Sequence, residues 1–169
     1  MDQVDARFME LALRQAETAV SAGQTPFGAV ILDAQGTLIG EGHNRVRADL
    51  DPTAHGEVVA LRAAWRRLGA WSMLAGGTLY STCEPCLLCS FVITQVGLRR
   101  VVFAARGTDV PGYRPLLGAD LTSAAAWVNT QRDWPRLVVL GDFMRDRALK
   151  IFATFPWAQA ETRGPVKGS

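Results

Sequence analysis

The chain has 169 residues, of which 49% are hydrophobic and 20% charged, with a formal net charge of +2. That length suits about one domain and buries a core without cross-links, and the balance excludes a disordered or collagen-like chain. Charges of both signs are interspersed, which does not point to a protein built around phosphate neutralisation but leaves room for a local basic patch, and three cysteines argue against a disulfide scaffold and for a reducing compartment.

No apolar run approaches the roughly 20 residues of a membrane span, and the first residues lack a signal-peptide pattern. A soluble, cytoplasmic chain with no membrane partner is expected. In chain order, Phe8, Leu11, Ala12, Gln15, Ala16 and Ala19 recur every three to four positions and predict a helix that stops at Gly23. Residues 27–32 read as a buried strand, 33–36 as a turn and 37–42 as the returning strand. A polar loop covers 43–50. Asp51-Pro52 predicts a helix start, because Asp accepts from free first-turn N–H groups and Pro fits the first helical position; this helix runs to Leu68. Residues 77–82 predict a strand, Pro85 opens a helix ending near Gly97, and 99–105 predict another strand. Gly and Pro punctuation around Tyr113 makes 106–120 a loop. A short helix over 121–128, a strand over 136–140 and a closing helix over 142–155 complete a single domain of 1–158, with 159–169 a flexible tail. Strand–helix–strand alternation after residue 77 demands parallel strands with right-handed crossovers, and 27–42 adds an antiparallel hairpin. The fold class is α/β, a three-layer α/β/α sandwich around a mixed five-stranded sheet.

His55-Gly56-Glu57 and Pro85-Cys86-Leu87-Leu88-Cys89 carry the chemistry. Zn²⁺ favours four ligands drawn from imidazole and thiolate, and three protein ligands keep the fourth position for water, the mark of a catalytic site. His55, Cys86 and Cys89 supply three. Cys86 and Cys89 share one helix face, and a helix N-terminus favours thiolates. Glu57 is two residues from His55, so the pair works only where both side chains reach past a helix end. Glu57 is then the acid/base group that moves a water proton, and N–H groups near Pro85 stabilise developing oxygen charge. A lone C-x-x-C suits a redox dithiol or structural zinc equally well. Combined with H-x-E it favours a hydrolytic zinc site over those rivals and over a non-enzymatic zinc-stabilised binding module.

H-x-E with P-C-x-x-C is the signature of zinc nucleobase deaminases. Together with Thr25-Pro26-Phe27-Gly28-Ala29-Val30, Gly42-His43-Asn44-Arg45-Val46 and Leu79-Tyr80-Ser81-Thr82-Cys83-Glu84, these motifs make the chain resemble the cytidine deaminase-like superfamily over about residues 26–109. It is similar to bacterial guanine deaminases and to tRNA adenosine deaminases. Cys83-Glu84-Pro85-Cys86 and Thr108-Asp109 lean toward the guanine type. The resemblance implies strand order 2-1-3-4-5, Zn²⁺ on His55, Cys86 and Cys89, and proton transfer by Glu57. It further implies a hydrogen bond from Asn44 to the base edge, Phe27 against the ring, and a homodimer. Gly56 stands where most relatives have Ala. The acidic pair of guanine deaminases is missing after strand four, where Asp109 or Asp120 is the nearest substitute. Trp157, with Phe152 and Phe155, packs as core or covers a planar base.

The expected function is hydrolytic deamination of a free nucleobase or nucleoside, guanine first and cytosine or another amino-heterocycle next. Deamination of tRNA adenosine is the alternative; it needs a basic surface for the backbone, so a nucleic-acid partner is not expected. Without the resemblance, Asn44 and His43 read as loop hydrogen-bonders, Cys83 as a small buried residue, and Trp65 and Trp71 as core or dimer contacts.

Overall fold

The structure, a computed structural model, describes residues 3–69 and 74–158; Trp71 and the 159–169 tail lie outside the described residues. Helix α1 (Gln3–Ser21) buries Phe8, Met9, Ala12, Leu13, Ala16 and Ala19, a stripe shifted slightly from the expected one toward Met9 and Leu13. Strands β1 (Gly28–Leu32) and β2 (Leu38–His43) form an antiparallel hairpin. Its turn closes because Asp33 Oδ1 accepts from the Gln35 and Thr37 amides while Gly36 takes φ +82°. There follow α2 (Val46–Asp49), α3 (Gly56–Leu68), β3 (Thr78–Cys83), α4 (Leu87–Gln95), β4 (Arg100–Ala105), α5 (Asp120–Val128), β5 (Val138–Leu140) and α6 (Arg145–Ala153). The sheet order is β2-β1-β3-β4-β5; β1 is antiparallel to both neighbours, and β3, β4 and β5 run parallel.

Side-chain alternation along the strands builds a core on each face of the sheet. Ala29, Ile31, Leu79, Val101 and Phe103 pack with α3, α4 and α5. Val30, Leu32, Tyr80, Val102 and Ala104 pack with α1 and α6. Helix α3 lies close on β2 because a Cβ at Gly40 or Gly42 would collide with the Ala60 backbone. On the other face a polar lock joins α1 to the sheet. The Tyr80 hydroxyl donates to Asp5 Oδ1 at 2.6 Å, and the Arg100 guanidinium donates to both Asp5 oxygens at 2.7 and 2.6 Å. Among the described residues, no helix is long and apolar enough to cross a membrane.

Several element boundaries differ from the expectation. The helix expected from Asp51 begins at Gly56. Asp51 Oδ1 accepts from Thr53 N at 2.8 Å and Thr53 Oγ1 at 2.7 Å, and the Ala54 and His55 amides bond back to Asp51 O and Thr53 O, so the segment is a turn. The helix expected from Pro85 begins at Leu87, with Cys86 at its N-cap. The 43–50 loop contains α2, which ends where Leu50 takes φ 51°. The 106–120 loop contains a 3-10 turn at Gly107–Asp109. The closing helix is shorter than 142–155, since Asp142 and Met144 have φ 60° and 57°, which no right-handed helix accommodates.

Candidate active site

Two helix N-termini meet at one point. His55 is the N-cap of α3 (φ −66°, ψ 154°) and Cys86 the N-cap of α4 (φ −64°, ψ 171°). The extended backbone at each cap frees the side chain from its helix. His55 therefore stands before α3 while Glu57 lies inside its first turn, which resolves the two-residue spacing that a continuous helix could not satisfy. Cys89 sits one turn into α4 and is buried.

His55 Nδ1 lies 3.4 Å from Cys86 Sγ and 3.4 Å from Cys89 Sγ, and the three ligand atoms lie within 4.8 Å of one another. Donors about 2.0–2.3 Å from a tetrahedral Zn²⁺ stand roughly 3.5 Å apart, so both the donor set and its spacing fit zinc. The Cys89 hydrogen bond brings the Cys86 thiol down to about 4, the contact with Cys86 pushes Cys89 well up, and the Cys86 bond raises His55. A bound zinc would take both sulfurs as thiolates.

Glu57 is buried beside this triad. Its Oε1 accepts from Ser81 Oγ at 3.3 Å, and its Oε2 accepts from Cys89 Sγ at 3.5 Å. Burial raises its carboxyl above the ordinary value.

His55, Glu57 and Cys86 open into a cavity of about 270 Å³. Phe27 and Asn44 line it too. Asn44 Oδ1 accepts from Val46 N at 3.2 Å, and among the described residues Nδ2 has no partner and is not fully buried. The other expected contacts are not among the lining residues. Pro85 is buried, and its carbonyl accepts from Ser90 Oγ. Asp109 accepts from Arg145 Nε at 2.8 Å and from the Arg106 amide at 2.8 Å. Trp157, partly buried, packs on Phe27 and Phe155 and donates its indole N–H to Phe152 O.

Thr25, Val46, Arg47, Glu84, Val110 and Tyr113 also line the cavity; Thr25, Val46 and Glu84 stand inside the resemblance motifs, but none of these residues was expected to contact a ligand. Arg47 and Val46 lie within three residues of Asn44, and Glu84 is inside the Cys83-Glu84-Pro85-Cys86 run, so proximity to the motifs is the one signal available. Tyr113 has none, because only the path of its loop brings it to the zinc ligands. His43, expected in a loop, is the last residue of β2 and a hydrogen-bonder, with Nδ1 3.2 Å from Gln15 Oε1.

Residues 2–105 match the family described as the cytidine and deoxycytidylate deaminase zinc-binding region. The chain is 41% identical over 98 residues to the tRNA-specific adenosine deaminase of Aquifex aeolicus, which covers 58% of this chain and 64% of that one. It is 44% identical over 103 residues to the guanine deaminase of Bacillus subtilis, covering 60% of this chain and 65% of that one. The matched stretch thus spans less than two thirds of either relative. A solved structure from work on A-to-I editing by tRNA:A34 deaminases at the wobble position of transfer RNA superposes with a TM-score of 0.71 at 29% identity, covering 86% of this chain and 99% of that one. Well over half of the chain matches the family, and its signature residues converge on a geometry that fits zinc: the chain belongs to the zinc-binding cytidine and deoxycytidylate deaminase family.

Proposed function

We propose that this enzyme deaminates adenosine in a tRNA, hydrolysing the exocyclic C–N bond of a flipped-out base and releasing ammonia. The observation that carries the deaminase chemistry is the buried Glu57 carboxylate, 3.5 Å from the Cys89 sulfur and open to a base-sized cavity. Zinc bound by His55, Cys86 and Cys89 supplies a water of lowered pKa. Glu57 would take a first proton from that water and pass it to the ring nitrogen, then take the second from the added hydroxyl and pass it to the leaving amine, which departs as ammonia. Asn44 Nδ2 donates to the base edge and Phe27 borders the ring. The Cys86 amide, which has no acceptor among the described residues, is placed to stabilise oxygen charge.

Two observations favour RNA-borne adenosine over the free guanine expected first. The two acids expected to substitute for the missing guanine-binding pair are engaged elsewhere: Asp109 with Arg145, and Asp120 with the Tyr113 hydroxyl and two backbone amides. Arg47 lines the cavity and bonds a carbonyl, Gly23 O, at 3.2 Å with its guanidinium over the Phe155 ring; no carboxylate pairs with it among the described residues. Its charge is available to a phosphate beside the base. The relatives similar to this chain that act on tRNA support the same reading.

Free guanine is the second reading. The identity to guanine deaminase and the buried Glu84 carboxylate lining the cavity favour it. Ammonia release on a tRNA anticodon stem–loop, guanine, cytosine and adenosine separates the two. Salt-sensitive turnover of the stem–loop supports RNA, and turnover confined to free bases refutes it. Glu57→Gln is expected to retain zinc and abolish ammonia release on every substrate; normal release from that variant would remove Glu57 from its role. A second copy of the chain is the proposed protein partner.

A further inference from the structure

We propose that Tyr113 is a specificity-determining residue of this cavity and that Asp120 is the positioning residue that holds it there. The proposal rests on the reading of the cavity as a base-binding site.

Tyr113 and Val110 are the described lining residues that come from the 106–120 segment. The Tyr113 hydroxyl donates to Asp120 Oδ2 at 2.6 Å. Asp120 is 3% exposed, so this is a bond inside the protein. The same Oδ2 accepts from Leu87 N at 3.2 Å, and Oδ1 accepts from Leu117 N at 2.8 Å. Leu87 is the first residue of α4 and follows the ligand Cys86. One buried carboxylate therefore joins the cavity wall to the helix that carries two of the three zinc ligands.

The ring is seated as well as tethered. A Cβ at Gly107 would stand 3.0 Å from Tyr113 Cε1 and 3.5 Å from Pro115 Cγ, so the glycine lets the ring lie against the backbone without crowding. Gly107 N in turn donates to Glu84 Oε2 at 3.4 Å, and Tyr113 N bonds Val110 O at 3.1 Å. The ring cannot swing away without leaving the buried Asp120 oxygen short of a partner. A fixed aromatic wall beside the metal ligands sets which planar heterocycles fit and how firmly they are held. This wall is a property of this chain's loop and not of the zinc motif.

The test compares Tyr113→Ala, Tyr113→Phe and Asp120→Asn with the parent enzyme. Zinc content, kcat and KM are measured on the anticodon stem–loop, guanine and adenosine. Tyr113→Ala is expected to raise KM about tenfold, the weight of one aromatic–base contact, and to change the ratio of kcat/KM between substrates with zinc unchanged. Tyr113→Phe keeps the ring and is expected to shift that ratio in the same direction by less, with Asp120→Asn matching it. A uniform fall in kcat with unchanged KM and unchanged ratios overturns the proposal. So does a Tyr113→Ala effect that the parent ratio survives.

Binding is read separately from turnover with 2-aminopurine fluorescence on Glu57→Gln protein. A parent enzyme that releases no ammonia from any substrate sinks the deaminase reading alone. Equal 2-aminopurine affinity in Glu57→Gln and Glu57→Gln/Tyr113→Ala sinks the Tyr113 proposal alone. Absence of 2-aminopurine binding counts against both.

Discussion

His55 and Glu57 show how one backbone setting decides a site. Two residues apart, they would diverge on a helix, yet the N-cap conformation of His55 lets its imidazole meet the sulfurs while Glu57 stays in the first turn. The donor identities were legible because imidazole, thiolate and carboxylate in H-x-E and P-C-x-x-C combine to few chemistries other than hydrolytic zinc. Asp109 was not legible as a structural residue: its partner Arg145 is 36 positions away and carries no local signal. The same holds for Trp157, whose indole N–H is used on Phe152 O. A prediction belongs at this scale. Cys89→Ser removes a ligand outright, so the loss of zinc affinity is expected to exceed the roughly 10–100-fold cost of losing an outer partner. Metal analysis after dialysis should find little zinc, with ammonia release falling in step; full zinc occupancy in that variant would show that Cys89 is no ligand.

At the scale of elements, periodicity and glycine punctuation located every strand and most helices within a few residues, since these signals are local. The starts of α3 and α4 were displaced because an Asp-Pro and a Glu-Pro can build a turn as readily as a first helical turn, and the Asp51–Thr53 hydrogen bonds choose the turn. Another element-level device is the lock of α1 on β3 and β4. The Arg100 hydrogen bond, more than that of Tyr80, holds the Asp5 carboxyl below the usual carboxylate range. A lowered folded pKa means that the unfolded chain takes up the proton first. The stability Asp5 contributes is therefore present above about pH 4, the unfolded value, and is lost as pH falls through the folded pKa. Asp5→Asn is expected to cost about 1–3 kcal/mol at pH 7 and to flatten the fall of the thermal midpoint between about pH 5 and 3. Parallel midpoint curves for the two proteins would show that the pair contributes nothing to acid stability.

Over the whole molecule, the face of α4 and α5 opposite the zinc ligands is unusually apolar for a surface. Phe91 and Trp127 are each 65% exposed, and with Trp134 and Leu117 they border a groove of about 340 Å³. Exposed aromatics gathered in one groove mark a contact surface. A second copy covering this face would place the dimer contact directly behind the helix that holds Cys86 and Cys89. Trp127→Glu is expected to convert a dimer into a monomer in light scattering, while Tyr80 and the distant α1 face keep the fold intact; a monomeric parent protein would refute the assembly. What the sequence by itself determined was the donor set, the order of elements and hence the family, because caps, periods and short motifs act over a few residues. Tertiary structure alone decided the cavity wall at Tyr113, the seat of Arg47 on Gly23 O and the Phe155 ring, and the engagement of Asp109 and Asp120. Arg47 on Gly23, Asp120 on Leu87 and Asp109 on Arg145 join positions 24, 33 and 36 residues apart, where close packing and the pairing of buried charge choose partners that no local pattern encodes.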